Sequence, residues 1–317
     1  MTTDITMNDG THPFSRLMII YSPAGGNGKS EIAANLAFML AKTGRRIWII
    51  DANTYAPTMD LIFNFSDVSD SFIQFISSPE LADLPMYNVS RTLKTGEFTI
   101  YLTPAGDGDR ETRRDILEKA IINDDFISCM QEAIVRNIKK YQIDLCIIDT
   151  HPGFEQINNV WFGLTSFLFV VSRMNDLDLR NLGLLLQDIT IADIEKKLVV
   201  FNNVQYRNDR VSHDLENREM LEKFKLLING DDLKKELTGS FTCNGNLCGT
   251  VEFFPEPFLY SRELSLYQQS GDRKSFFSEI YPDDTFSISI SDLASFILQR
   301  LSIKVILRSD WQKFDYN

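Results

Sequence analysis

The stretch Leu17-Met-Ile-Ile-Tyr-Ser22-Pro-Ala-Gly25-Gly26-Asn27-Gly28-Lys29-Ser30 decides the fold. An apolar run leads into a glycine-rich turn, and the amphipathic segment EIAANLAFMLAKTG follows at once. That order reads as strand, loop, helix. Gly25, Gly26 and Gly28 let backbone N–H groups fold inward into an anion-binding nest, where a Cβ would obstruct the turn. The helix starting at Lys29 points its positive end at the same place. Lys29 is placed to reach the β- and γ-phosphates of a nucleotide, and the Ser30 hydroxyl to ligate Mg²⁺. Gly44 sits where a helix C-terminal glycine cap belongs. The strict phosphate-loop pattern G-x-x-x-x-G-K-[ST] is broken, because Pro23 occupies the first glycine position. A glycine-rich turn with a chance Gly-Lys-Ser is the bland alternative, and the flanking strand and helix argue against it.

Outward from this loop, short apolar runs recur: Arg46–Ala52, Phe98–Thr103, Leu145–Thr150, Ser166–Ser172 and Leu198–Val204. Several are apolar throughout, as strands covered on both faces are. Helix-length segments lie between them: Ser30–Thr43, Arg113–Tyr141 as two helices, and Asp178–Lys197. Phe63–Gly96 reads as short helices capping the sheet edge, and Asp214–Ile228 as a charged helix. Strands alternating with helices predict one α/β domain, a mostly parallel sheet of about seven to eight strands with helices on both faces. The expected organisation is an N-terminal tail over 1–15, a nucleotide-binding domain over 16–300 and a C-terminal tail over 301–317.

Of 317 residues, 44% are apolar and 24% charged, so disorder and coiled coil are excluded as overall descriptions. Thirty-two Lys plus Arg against 44 Asp plus Glu give a net charge of −12, which argues against nucleic acid as a partner. No run reaches the roughly 18–20 apolar residues of a membrane span. The polar N-terminus does not read as a signal peptide, and the four cysteines are too scattered for a disulfide framework. A cytoplasmic protein is expected.

The loop resembles the deviant K-G-G-x-G-K-[ST] pattern of the MinD/ParA family of P-loop ATPases at every position but its first lysine. Ile49-Ile50-Asp51-Ala-Asn53-Thr-Tyr-Ala-Pro57-Thr-Met-Asp60 resembles the family's switch I, and Leu145-Cys-Ile-Ile-Asp149-Thr-His-Pro152-Gly153 its Walker B and switch II. Leu198-Val-Val-Phe-Asn202-Asn203 resembles the strand whose terminal asparagine reads adenine, and Gly249–Glu256 the proline loop that closes over the base. The resemblance implies a P-loop NTPase fold with ATP and Mg²⁺ as cofactors. It implies nucleotide contacts from Gly25, Gly26, Asn27, Gly28, Lys29, Ser30, Glu31, Asn202 and Pro255. Metal contacts would come from Ser30, Asp51 and Asp149, and hydrolytic roles would fall to Lys29, Asn53 and Asp149. Capping of helices by the strand-end carboxylates is the competing reading for Asp51 and Asp149. His151 is assigned no chemistry, while Gly153 reads as a hinge.

Two departures bear on mechanism. The family's signature lysine falls at Ala24, and the switch I aspartate at Asn53. Arg173 and Arg180, with Arg207 behind them, are the cations that could replace the lysine, although solvated or ion-paired roles are the common case for arginine. The implied function is an ATP-dependent sandwich homodimer that hydrolyses slowly and positions or recruits a protein partner. The alternative is a hydrolysis-deficient scaffold or regulatory subunit; no substrate motif supports a metabolic ligase or reductase. Cys243 and Cys248, in C-x₄-C spacing, would supply half a zinc or cluster site across a dimer, and an incidental pair of thiols is favoured. The basic, apolar segment Phe296–Lys313 makes a membrane surface a candidate partner, but a last helix packed on the sheet fits it better, since its apolar residues are not confined to one face.

Overall fold

The computed structural model describes residues 13–66, 69–78, 83–90, 92–93, 96–191, 193–202, 240–242, 250–254, 258, 261–269 and 276–300. Its strands are β1 Leu17–Tyr21, β2 Arg46–Asp51, β3 Tyr87–Asn88, β4 Thr92–Leu93, β5 Gly96–Glu97, β6 Thr99–Thr103, β7 Leu145–Asp149, β8 Phe167–Ser172, β9 Lys196–Phe201, β10 Ser240–Thr242 and β11 Thr250–Phe253. The helices are α1 Lys29–Lys42, α2 Met59–Ile62, α3 Phe72–Ser77, α4 Arg110–Ile121, α5 Asp124–Tyr141, α6 Gln156–Phe162, α7 Asp176–Leu186, α8 Arg262–Gln269, α9 Phe277–Ile280 and α10 Thr285–Arg300.

Nine strands form one sheet in the order β10-β11-β9-β8-β1-β7-β2-β6-β3, while β4 and β5 pair separately. Seven strands, from β11 to β6, run parallel, and β10 and β3 close the edges antiparallel. This is the expected α/β architecture, with β1 and β7 at its centre.

The central strands are apolar throughout because alternate side chains serve two cores. On β1, Leu17, Ile19 and Tyr21 join one core with Phe126, Met130 and Ile134 of α5, and with Leu179 and Leu182 of α7. Met18 and Ile20 face the other core, made with Ile32, Leu36 and Leu40 of α1 and Ile290, Leu293 and Ile297 of α10. Each large side chain so buried contributes about 1.5–3 kcal/mol.

Two expectations change, and a third holds as far as the described residues reach. The helix expected over Asp178–Lys197 ends at Leu186, a 3₁₀ turn covers Ile189–Ile191, and Lys196 already belongs to β9. The β-branched run Ile189-Thr190-Ile191 disfavours helix, and Asp188 draws both the Thr190 amide and its hydroxyl into a local turn at 2.8 Å. The connection after Phe63 supplies α3 as expected, but also the edge strand β3, whose two residues leave too short a pattern to read. Within Phe296–Lys313, the part to Arg300 is the end of α10, with Ile297 buried against α1's core, and 301–317 lie outside the described residues. The helix expected at Asp214–Ile228 and the pair Cys243 and Cys248 also lie outside them. No described helix is long and apolar enough to cross a membrane.

Candidate nucleotide site

β1 delivers the chain into a loop that its own side chains wire together. The Ser22 hydroxyl donates to the Ala24 carbonyl at 2.7 Å and accepts from the Asn27 side-chain amide at 2.9 Å. Gly26 and Gly28 adopt left-handed backbone, at φ 75° and 79°. A Cβ on Gly28 would run into the Asn202 side chain. Gly25 has no such need: its φ is not left-handed, and a Cβ there would meet Pro152 only at an ordinary 4.0 Å. The nest therefore depends on two glycines, not the expected three.

The loop opens into α1, and Lys29 and Ser30 both turn to β7. Asp149, fully buried, accepts from the Lys29 ammonium and from the Ser30 hydroxyl, the latter at 2.6 Å. β2 places Asp51 directly alongside in register. Its carboxylate, however, accepts three backbone N–H groups of its own segment: Asn53 at 3.1 Å, Thr58 at 3.2 Å and Met59 at 3.1 Å. It thereby caps α2, so the competing capping reading describes Asp51 here, whereas Asp149 serves the loop. Burial and the neighbouring Asp149 raise the Asp51 pKa to about 7, against the Met59 and Thr58 amides and the Lys29 charge. Asn53 is buried; its amide donates to the Ala56 carbonyl at 3.0 Å, and its side-chain oxygen has no partner among the described residues.

On the other side of the loop lies a cleft of about 210 Å³, bordered by Gly26, Gly28, Glu31, Arg173, Asn202 and Gln268. Asn202, at the end of β9, donates its side-chain amide to the Asn27 carbonyl at 2.8 Å. Glu31 accepts from Asn35 at 3.0 Å and from Gln268 on α8 at 3.3 Å. Pro255 and Arg207 lie outside the described residues. Arg180 is exposed on α7. Arg173, one of the cations that could replace the lysine, donates from its guanidinium to the Gly26 carbonyl. The signal was positional: Arg173 directly follows β8, the parallel neighbour of β1, at the strand ends where the other site residues gather.

The segment after β7 is tied to both the loop and switch I. Gly153, at φ 80°, donates its N–H to the Ser22 carbonyl at 2.9 Å, and its own carbonyl accepts from the Tyr21 hydroxyl at 3.0 Å. His151 is buried, with Nε2 3.3 Å from the Thr54 hydroxyl and its ring 4.2 Å from that of Tyr55. Burial, then the Lys29 charge, push its pKa down to about 3.

These residues fit a magnesium–nucleotide. A left-handed cradle leads into a helix N-terminus, a hydroxyl and a carboxylate meet beside it, and the side-chain oxygens of Asn27 and Asn53 are buried acceptors without partners among the described residues.

Residues 18–234 match the family model described as the CobQ/CobB/MinD/ParA nucleotide binding domain. The Fe–S cluster assembly factor HCF101, chloroplastic, of Arabidopsis thaliana is 26% identical over 148 residues, 45% of this chain and 23% of that protein. An iron–sulfur cluster carrier protein of Aquifex aeolicus is 24% identical over 193 residues, 59% of this chain and 44% of that protein. The chain thus spans less than half the length of these curated relatives. Among solved structures, a ParA family ATPase from Chlorobium tepidum superposes with a TM-score of 0.60 at 15% identity, covering 89% of this chain and 99% of that one. MinD in the MinC:MinD complex of Aquifex aeolicus gives 0.62 at 14%, covering 90% and 96%. At such identity these two superpositions show the fold alone.

Proposed function

The chain belongs to the CobQ/CobB/MinD/ParA nucleotide-binding family, and from that premise we propose that it is a Mg·ATP-binding switch, with residues 16–300 as its working unit. One observation carries the reading: Lys29 and Ser30, the first residues of α1, converge on the buried Asp149 at the mouth of a left-handed glycine loop. Gly26, Asn27 and Gly28 would present backbone to the phosphates, and Lys29 would exchange Asp149 for them. Ser30 and Asp149 would hold the magnesium, with Asp51 beside them. The ion that Ser30 and Asp149 would hold would supply positive charge to offset that of the phosphates. Asn202, and Pro255 by resemblance, would border the base. Glu31, tied to Gln268 of α8, would border the nucleotide from the same cleft.

Two protomers would close over two nucleotides, because a ligand that binds the paired state better draws the equilibrium toward it. Hydrolysis would be slow. Asn53 is an amide where a carboxylate would orient water, and Ala24 supplies no charge. Those same two residues favour a second reading, a nucleotide-stabilised scaffold or regulatory subunit without useful turnover. Iron–sulfur carriage, which the relatives' names state, is not part of the proposal; among the described cysteines, Cys146 is buried in the central strand β7 and Cys129 lies on α5, while Cys243 and Cys248 lie outside the described residues.

Solution mass of the full chain with Mg·ATP, Mg·ADP and no nucleotide tests the switch, with Lys29→Ala as control. A dimer that forms with ATP and is lost in the variant is expected. Equal masses in all three states and in the variant would sink nucleotide-gated dimerisation. Phosphate release from the ATP-bound dimer then separates slow turnover from none.

A further inference from the structure

We propose that Arg173 is a nucleotide-phosphate ligand of this chain, bringing from the end of β8 the positive charge that position 24 lacks. The inference rests on the nucleotide reading above and adds a residue to it.

Three observations support it. The Arg173 guanidinium already touches the phosphate loop, donating to the Gly26 carbonyl, and a Cβ on Gly26 would stand 3.5 Å from it. Glycine at position 26 answers to the left-handed turn, since 3.5 Å is an ordinary contact that would not by itself exclude a side chain. Next, the donors of Arg173 are underused. Guanidinium carries five N–H groups. The Gly26 carbonyl is the side chain's one hydrogen-bond partner among the described residues, and Nε is buried with none. A buried donor without an acceptor is costly, and an anionic ligand in the adjoining cleft removes that cost. Finally, the Glu31 carboxylate, which borders the same space, accepts the Asn35 and Gln268 amides.

Topology says which part of a nucleotide Arg173 would meet. Lys29 and Ser30 lean toward β7, on one side of β1, whereas Arg173 approaches from β8, on the other side, beside Asn202. It would therefore meet the phosphates nearer the nucleoside, which ADP and ATP share. Its role is binding, and its loss should weaken both nucleotides alike.

The test is equilibrium binding of Mg·ADP and of a non-hydrolysable Mg·ATP analogue to the full chain, at low and high salt, for wild type, Arg173→Ala, Arg173→Lys and Arg173→Gln. Charge-assisted hydrogen bonds of this kind predict an affinity loss of about 10- to 100-fold in Arg173→Ala for both ligands. Arg173→Lys should recover part of it, and the salt dependence should be shallower in Arg173→Ala. Arg173→Gln keeps an N–H for the Gly26 carbonyl and drops the charge, so it carries the test if Arg173→Ala does not fold; it is expected to bind as weakly. Wild-type affinity in Arg173→Gln would reduce Arg173 to a loop tie and overturn the proposal. So would an Arg173→Ala affinity within twofold of wild type. If wild type itself binds neither ligand, the nucleotide reading falls, and this inference with it.

Discussion

The phosphate loop and switch I are built on one plan, a parallel strand that runs through a turn into a helix, yet they hold their shapes by different means. After β1, two left-handed glycines and the Ser22–Asn27 contact fix the turn, and α1 runs for 14 residues with most of them buried. After β2, the turn leads into the four residues of α2, of which Met59 and Ile62 are buried. A helix so short is not self-supporting. Its first N–H groups, at Thr58 and Met59, depend on the Asp51 carboxylate. One region is thus set by sterics and core packing, the other by a titratable group that faces the candidate metal position. Charge placed beside Asp51 is therefore expected to reach the segment it holds at Thr58 and Met59, and to leave the glycine loop's shape unchanged.

The largest effect expected of that difference is at Gly28. Gly28→Ala forces a left-handed residue with a Cβ, at about 1–2 kcal/mol, and pushes aside Asn202, which holds the Asn27 carbonyl. A stability loss of about 2–3 kcal/mol and a loss of Mg·ADP affinity of about 10- to 100-fold should follow. Gly44→Ala is the matched control: its φ is 81° and nothing among the described residues lies within 4 Å of a Cβ, so it should carry the backbone strain and leave binding unchanged. Urea unfolding and ADP titration of both variants check this. Equal binding by the two would mean that the loop's shape does not govern the site.

Switch I should respond to charge instead. Asp51 in the native chain keeps its proton up to about pH 7, and the unfolded chain releases it near 3.8. Between those values the native state binds more protons, so this group's contribution to stability falls as pH rises. Asp51→Asn removes the buried charge and keeps an acceptor oxygen. In the nucleotide-free protein at pH 8 it should be more stable than wild type, by about 1–3 kcal/mol. The gain should fade below pH 7 and be gone near pH 4. Melting curves across that range measure it. A variant less stable than wild type at pH 8 would show that the three amide contacts outweigh the repulsion from Asp149.

The same contrast explains what could be read from the sequence. Lys29, Ser30 and Asp149 were legible because an apolar run before a glycine loop, and another ending in aspartate, fix the ends of neighbouring strands. The sheet was legible for the same reason, since fully apolar runs such as Leu145–Asp149 have no solvent face to explain. Asp51's attachment to Thr58 and Met59 was not, because a carboxylate's partner seven or eight residues on depends on how the turn folds. Arg173 was visible as a cation, but its contact with Gly26 spans 147 positions and exists only once β8 pairs with β1. The helix end at Leu186 was lost for a local reason: Ile189, Thr190 and Ile191 sit in an apolar pattern that periodicity alone continues.

The effect most nearly hidden in the wild-type chain concerns His151, which joins Thr54 and Tyr55 to the segment after β7. Its native imidazole stays neutral until about pH 3, whereas an unfolded histidine takes its proton near 6.5. Here the unfolded state binds more protons between the two values, so stability is lost as pH falls through that window, by at most about 1.4 kcal/mol per pH unit. Asp51 acts with the opposite sign over nearly the same range, and in wild type the two contributions offset. Asp51→Asn removes one of them. Acidifying that variant from pH 6.5 to 4.5 should therefore cost about 2–3 kcal/mol more than acidifying the double variant Asp51→Asn, His151→Gln, as read from urea midpoints. Parallel pH profiles for the two would show that His151 takes up its proton in the folded chain, and that Thr54 and Tyr55 do not seal it from water.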